Sequence, residues 1–158
     1  MKLILADTGP LYALADVSDQ YHSRAGQELL AAGKKGYGIA VSYATVCEAY
    51  TLVMRRLGGG YARQWLTEVL AGSVLVNPEA GDYLSAADLI GRFPDQPWTM
   101  IDALTAILSA KIKAPVWTFD RHFAAMRATL WRARPPPWSP VWEATPVRGR
   151  LTRTRGAH

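Results

Sequence analysis

Short apolar runs, each stopped by a polar residue or turn, alternate along this chain with segments of helical periodicity. No other feature limits the fold so strongly. Lys2–Ala6 is such a run, closed by Asp7-Thr8-Gly9-Pro10, and reads as a buried strand followed by a turn. Leu11–Ala15 can form a short helical segment, and Asp19 is placed to cap a helix over Gln20–Ala32 that Gly33 ends. Tyr37–Val41 reads as a second strand. Ser42 then caps a long helix, Tyr43–Leu57, which Gly58-Gly59-Gly60 terminates. Helices near Tyr61–Ala71 and over Glu79–Arg92 flank a third strand at Ser73–Val76, and Thr99 caps a helix from Met100 to about Lys113. Pro115–Phe119 is the last strand and closes on Asp120, after which Phe123, Met126 and Leu130 mark one face of a short helix. Strands alternating with helices imply parallel pairing with helices on both faces. The expected class is α/β.

The chain has 158 residues, room for one domain with a substantial core. Residues 1–134 form that domain, and the Pro/Trp/Arg-rich residues 135–158 lack either period and read as an appendage. The net charge of +5 is uneven: residues 143–158 hold four arginines against Glu143, while residues 1–142 hold fourteen Lys/Arg against twelve Asp/Glu. For such a tail, a solvated, disordered end is the plainer reading, ahead of an RNA-binding arm. Asp7 interrupts the first apolar run too early for a secretory signal, and no stretch approaches the roughly 20 apolar residues of a membrane span. The only cysteine, Cys47, has no internal partner and reads as a packed small residue, so a reduced, cytoplasmic setting is the default.

Four carboxylates are placed to meet. Asp7 and Asp120 each follow a buried strand directly, and parallel sheets carry their reacting groups beyond the carboxyl ends of their strands. Glu48 lies in the second turn of the helix after the second strand, nearly opposite the apolar stripe Val46, Tyr50, Val53 and Leu57. Asp102 lies in the first turn of its helix, one step round from the stripe Ile101, Leu104, Leu108 and Ile112, with small neighbours Thr105, Ala106 and Ser109. Taken singly, Glu48 is a solvated acid and Asp102 a response to the helix dipole. If the four converge, a cation is required, because two carboxylates about 4 Å apart repel by roughly 4 kcal/mol at an effective dielectric near 20. Oxygen donors alone suit Mg²⁺ or Mn²⁺ rather than zinc. Arg55, Arg121 and His122 lie near these acids in sequence and are candidates for contacting a substrate phosphate.

These residues resemble a PIN domain, in particular a VapC-like toxin ribonuclease of a type II toxin–antitoxin system. Four stretches carry the resemblance: Leu5-Ala6-Asp7-Thr8-Gly9-Pro10-Leu11, then Val46-Cys47-Glu48-Ala49 after Ser42. The third and fourth are Asp95-Gln96-Pro97-Trp98-Thr99-Met100-Ile101-Asp102-Ala103 and Val116-Trp117-Thr118-Phe119-Asp120-Arg121-His122-Phe123. Their order and spacing follow the family over about residues 2–130. The resemblance implies a three-layer α/β sandwich with a mostly parallel central sheet of 4–5 strands and an acidic pocket for one or two divalent ions. It implies hydrolysis of RNA phosphodiesters, a homodimer and silencing by a cognate antitoxin. Asp7 and Asp102 would be the principal ligands, Glu48 and Asp120 would complete the pocket, and Thr8, Thr118 and Asp95 would support them. The segment after Arg134 has no counterpart in the family pattern.

Other chemistries fit less well. Cys47 has no identifiable base, the three histidines have no zinc-ligand spacing, and the triple glycine lacks the Lys-Ser/Thr of a phosphate loop. An aspartyl phosphatase would want a second acid at position 9, which is glycine. Two alternatives stand beside the ribonuclease: a catalytically silent RNA- or partner-binding module of the same fold, and a DNA or flap nuclease, for which the chain is short. Trp65, Trp117 and Trp131 are expected in the core, and Trp98, Trp138 and Trp142 nearer the surface.

Overall fold

The computed structural model describes residues 1–132, so the expectations for 133–158, Trp138 and Trp142 included, lie outside the described residues. The elements run β1 (Lys2–Ala6), α1 (Thr8–Ala15), α2 (His22–Lys34), β2 (Tyr37–Val41), α3 (Tyr43–Leu57) and α4 (Gly59–Gly72). They continue with β3 (Val74–Leu75), α5 (Ala80–Arg92), α6 (Met100–Ile112), β4 (Val116–Trp117) and α7 (His122–Ala125). The four strands pair in parallel in the order β3-β2-β1-β4. Among the described residues, no helix is long and apolar enough to cross a membrane.

The two-residue period of the strands sorts the core into two layers. Ile4, Ala6, Val41 and Trp117 face a cluster with Leu11, Ala13, Ala25, Val46, Val53 and Trp65 from α1 to α4. The intervening Leu5 and Ala40 face Leu108 of α6, and Val116 faces Ala106 and Phe123. Helices therefore cover both faces, as an all-parallel sheet requires. The chain builds outward from β1 through β2 to β3, then returns to place β4 on the other side of β1. The order thus reverses between β1 and β4, and in such sheets the crevice beyond the carboxyl ends at that reversal is the usual ligand site.

The expected elements are present, with differences that have local causes. No turn separates β1 from the first helix: α1 begins at Thr8, and Pro10 sits in the first turn, where its missing N–H leaves no helical bond unmade. Asp19 does not cap α2; its carboxylate accepts the Tyr21 N–H at 2.7 Å, and the helix starts at His22. Of the three glycines after α3 only Gly58, at φ +94°, breaks the helix, and Gly59 already belongs to α4. Ser42 caps α3 as expected, accepting the Thr45 N–H at 3.1 Å.

Leu130 is not on a helix. It makes an isolated parallel bridge to Val116 on the free side of β4. Trp98 is not near the surface: it is 6% exposed and its ring lies 5.1 Å from that of Phe93. Cys47 is exposed rather than packed.

One buried charge went unread in the sequence. Glu28 lies on the buried face of α2 with Ala25 and Ala32, accepting the indole N–H of Trp117 at 2.6 Å and pairing with Arg24 at 2.9 Å. It ties α2 to the ring of a core tryptophan on β4. Replacing Glu28 by Ala is expected to reduce stability by about 2–3 kcal/mol, since the buried indole N–H loses its acceptor. Glu28→Gln keeps an acceptor and should lose about 1 kcal/mol or less. Urea unfolding of both variants checks this, and equal losses would contradict the assignment.

Candidate active site

The site is built around Asp7, the residue directly after β1. Its backbone N–H donates to Trp117 O at 3.0 Å, which carries the β1–β4 pairing one step past the sheet. Its side chain is only 7% exposed. One carboxylate oxygen accepts a 2.8 Å hydrogen bond from the hydroxyl of Thr118, itself fully buried just beyond β4. The same hydroxyl accepts the N–H of Asp120 at 2.9 Å, so its proton is committed to Asp7. Thr118, which the resemblance names as a support for the acids, hydrogen-bonds Asp7 directly.

Glu48 comes from α3, where its position away from the apolar stripe leaves it half-buried and accepting a hydrogen bond from the Thr8 hydroxyl. Thr8 opens α1 beside Asp7, so this bond fastens α3 to the first turn of α1. Asp102 makes a reciprocal cap with Thr99: its carboxylate accepts the Thr99 N–H at 2.8 Å and its own N–H donates to the Thr99 hydroxyl at 3.1 Å. The plain helix-capping role is therefore present at Asp102. It is not the whole of its role, because Asp102 also acts on Asp7.

Burial is the main reason that the Asp7 carboxyl is pushed up from 3.8 to about 6. The Thr118 hydroxyl and the Thr8 peptide N–H oppose the shift, and the negative charges of Asp102 and Glu48 add to it. Three of the four expected acids thus share one electrostatic neighbourhood. Asp120 joins them only through Thr118. Its carboxylate turns to the start of α7, accepting the His122 N–H at 2.8 Å and lying 3.2 Å from His122 Nδ1.

The remaining candidates are more distant in their contacts. Asp95 is exposed in the loop before α6 and accepts from the adjacent Gln96 at 3.3 Å, with no hydrogen bond to the other acids among the described residues. Arg55 and Arg121 are exposed, at the end of α3 and the start of α7. Sequence reasoning missed Arg132, whose guanidinium donates to Thr118 O at 3.2 Å. Nothing in the local pattern signals that contact, which depends on how residues 129–131 lie against β4.

The donor chemistry of Asp7, Asp102, Glu48 and Asp120 fits a hard divalent cation, being oxygen only. Asp7 is raised mainly by burial; the charges of Asp102 and Glu48 add a smaller part, and a cation would offset that part. Among the described residues, no three acidic, histidine or cysteine side chains stand close enough together to enclose an ion. The arrangement is one buried acid flanked by others, each held in its own hydrogen bond.

A proton bound more tightly in the folded than the unfolded state makes folding favourable below about pH 3.8, and that contribution is lost as pH rises through about 6. Without metal, ionised Asp7 should therefore cost about 3 kcal/mol at pH 7.5. Asp7→Asn is expected to match the wild type near pH 4 and to exceed it by about that amount at pH 7.5. Urea unfolding at the two pH values in chelated buffer reads the difference, and a pH-independent gap would show that the Asp7 carboxyl is not raised.

Three solved structures share this architecture. VapC20 of Mycobacterium tuberculosis, a sarcin–ricin-loop-cleaving toxin, matches with a TM-score of 0.74 at 22% identity, covering 82% of this chain and 99% of that one. VapBC2 of Rickettsia felis, bound to a DNA fragment from its promoter, matches at 0.62 with 16% identity, covering 81% and 96%. PAE2754 of Pyrobaculum aerophilum matches at 0.52 with 24% identity, covering 80% and 79%. The sequence itself matches no family model and no curated protein. What is shared at these identities is the fold: the chain has the parallel-sheet α/β architecture of the VapC20 and VapBC2 structures.

Proposed function

We propose that the protein is a Mg²⁺- or Mn²⁺-dependent endoribonuclease, the toxin of a toxin–antitoxin pair. It would act in the cytoplasm as a homodimer and be silenced by a cognate antitoxin. One observation carries this reading: a carboxyl raised mainly by burial, and further by the charges of Asp102 and Glu48, lies at the strand-order reversal of a parallel sheet. Likeness of fold to VapC20, itself a sarcin–ricin-loop-cleaving toxin, adds support by analogy.

Asp7 and Asp102 would hold the ion, with Glu48 and Asp120 completing its surroundings. When bound, the ion lowers the pKa of a coordinated water and offsets charge building on the phosphate oxygens. Thr118 fixes one Asp7 oxygen, so the carboxylate is oriented before any ligand arrives. Thr8 does the same for Glu48, and the His122 N–H for Asp120. Glu48 and Asp120 are the acids left to orient an attacking water. In-line attack by water leaves the ribose 2′-OH unused, so the products would carry 5′-phosphate and 3′-OH ends.

A second reading, a catalytically silent RNA- or partner-binding module, draws on the absence of three converging ligands among the described residues. Mn²⁺ titration by calorimetry followed by incubation with a mixed RNA pool separates the two. The nuclease reading expects metal-dependent cleavage, reduced 100-fold or more in Asp7→Asn and in Asp102→Asn, with 5′-phosphate termini. Because Asp7→Asn should be no less stable than wild type at neutral pH, its loss of activity would not reflect unfolding. Undiminished cleavage by both variants would refute the assignment.

A further inference from the structure

The amino ends of the strands carry a charge opposite to that of their carboxyl ends. Four chain segments lie there: 1–3 at the start of β1, 33–38 leading into β2, 110–115 ahead of β4, and 126–130. The last belongs with them because Thr129 O accepts the Val116 N–H at 2.7 Å. Together these segments hold Lys2, Lys34, Lys35, Lys111, Lys113 and Arg127, and no Asp or Glu. Lys111 is taken up by Glu79 and Asp82 at the start of α5. The other five cations are exposed, and none pairs with a carboxylate among the described residues.

Contacts and cavities join them into one surface. The Lys2 ammonium lies 5.8 Å from the centre of the Tyr37 ring, Tyr37 lies 4.9 Å from Trp131, and the Lys35 ammonium lies 5.2 Å from the Trp131 ring. Lys2, Tyr37 and Lys113 line one cavity of about 290 Å³, and Lys113 and Arg127 line a second of about 360 Å³. Lys113, Ala114 and Pro115 form a wall common to both.

Helix dipoles do not account for the whole set. Lys34 and Lys113 stand at the carboxyl ends of α2 and α6, where cations are favoured. Lys2 lies on a strand, however, and the helix before Arg127 has only four residues. Lys113 and Arg127 also hold positive φ, 53° and 59°, where glycine would be less strained. At both places the chain carries a cation instead, and both flank the same cavity.

We propose that this basic edge binds the phosphate backbone of RNA, at the end of the sheet opposite the acids. Cations beside concave openings suit phosphate oxygens. The residues between them are mostly small, Gly36, Gly38, Ala114 and Thr129 among them, and give little of the apolar anchorage that protein partners use. The five steps from Lys2 to Asp7, about 3.3 Å each, separate the two edges by about 16 Å. A long RNA held here is tethered near the pocket without its phosphates being pressed against carboxylates. Phosphate contacts carry no base information, so the edge gives affinity without sequence choice. The choice of RNA as the polyanion rests on the ribonuclease reading.

The test replaces Lys35, Lys113 and Arg127 together by Gln in the full chain, with a urea midpoint confirming the fold. Lys2→Gln combined with Lys35→Gln, which touches neither positive-φ position, takes its place should the threefold variant not fold. A control replaces Arg56, Arg63 and Arg92 by Gln, the same change of charge on exposed positions of α3, α4 and α5. Binding of a mixed-sequence single-stranded RNA oligonucleotide is measured against salt in the Asp7→Asn background, so that cleavage does not interfere. The slope of log affinity against log salt should flatten by about 0.7 for each phosphate contact removed, hence by roughly 2 for the threefold variant and not for the control. With Asp7 intact, KM should rise and kcat stay as it was. An unchanged slope, or equal flattening by the control, would overturn the proposal. So would poly-glutamate binding as tightly as RNA and weakening with the same substitutions, which would mark a docking surface for an acidic protein. If the slope flattens as expected but no chain cleaves RNA, the basic edge stands and the nuclease reading falls. Metal-dependent cleavage with an unaltered slope does the reverse.

Discussion

The Thr118 hydroxyl, buried where β1 and β4 end, is the contact on which the rest of the site depends. It donates to the carboxylate of the residue directly after one strand and accepts from the backbone beyond the other. A hydroxyl can serve both partners at once only in one rotamer, so the bond sets the orientation of Asp7 and the exit angle of the chain toward Asp120. Everything nearby refers to that alignment: Thr8 begins α1 from Asp7, Glu48 is fastened to Thr8, and Arg132 returns to the Thr118 carbonyl. The sheet supplies direction, and this one hydrogen bond converts direction into a fixed place for an acid.

Stability and chemistry pull against one another at this point. Asp7 is held where water is scarce and where Asp102 and Glu48 add their charges, so its ionised form is disfavoured in the free protein. A fold concerned with stability alone would place an uncharged residue there. Asp102 shows the opposite economy, since one carboxylate both caps α6 and contributes to the field at Asp7. Helix capping and site building use the same side chain, which explains why the first-turn position does not by itself reveal a function.

Much of the architecture was legible in the sequence because each element announces itself locally. The run Lys2–Ala6 ends at an acid, Ser42 and Thr99 cap their helices, and Gly58 breaks the backbone at positive φ. That Asp7, Asp102 and Glu48 lie toward one edge of the sheet was also readable, since strand ends and early helical turns of a parallel sheet face that edge, but the three do not converge on a common point among the described residues. What escaped was decided by partners distant in the chain. Glu28 looks like an exposed helix acid until Trp117 is seen to donate to it, 89 residues on. Trp98 looks exposed beside two prolines until Phe93 folds over it, and Leu130 joins a strand because β4 leaves an edge open. β4 ends at Trp117 instead of Phe119, so Asp120 lies three residues past its strand, and the Asx turn to His122 draws its carboxylate toward α7. Asp95 was placed by motif alone, and its loop keeps it in solvent.

The strand order has a consequence for synthesis. β1 is made first, yet its second neighbour in the sheet is β4, and the bond between Thr118 and Asp7 spans 111 residues. A nascent chain can pair β1 with β2 and stack α1 to α4 on them while one flank of the first strand is still bare. The acidic edge cannot close until nearly the whole domain has left the ribosome. Until then Asp7 stands without the hydroxyl that orients it, however complete the layer of helices on the other face.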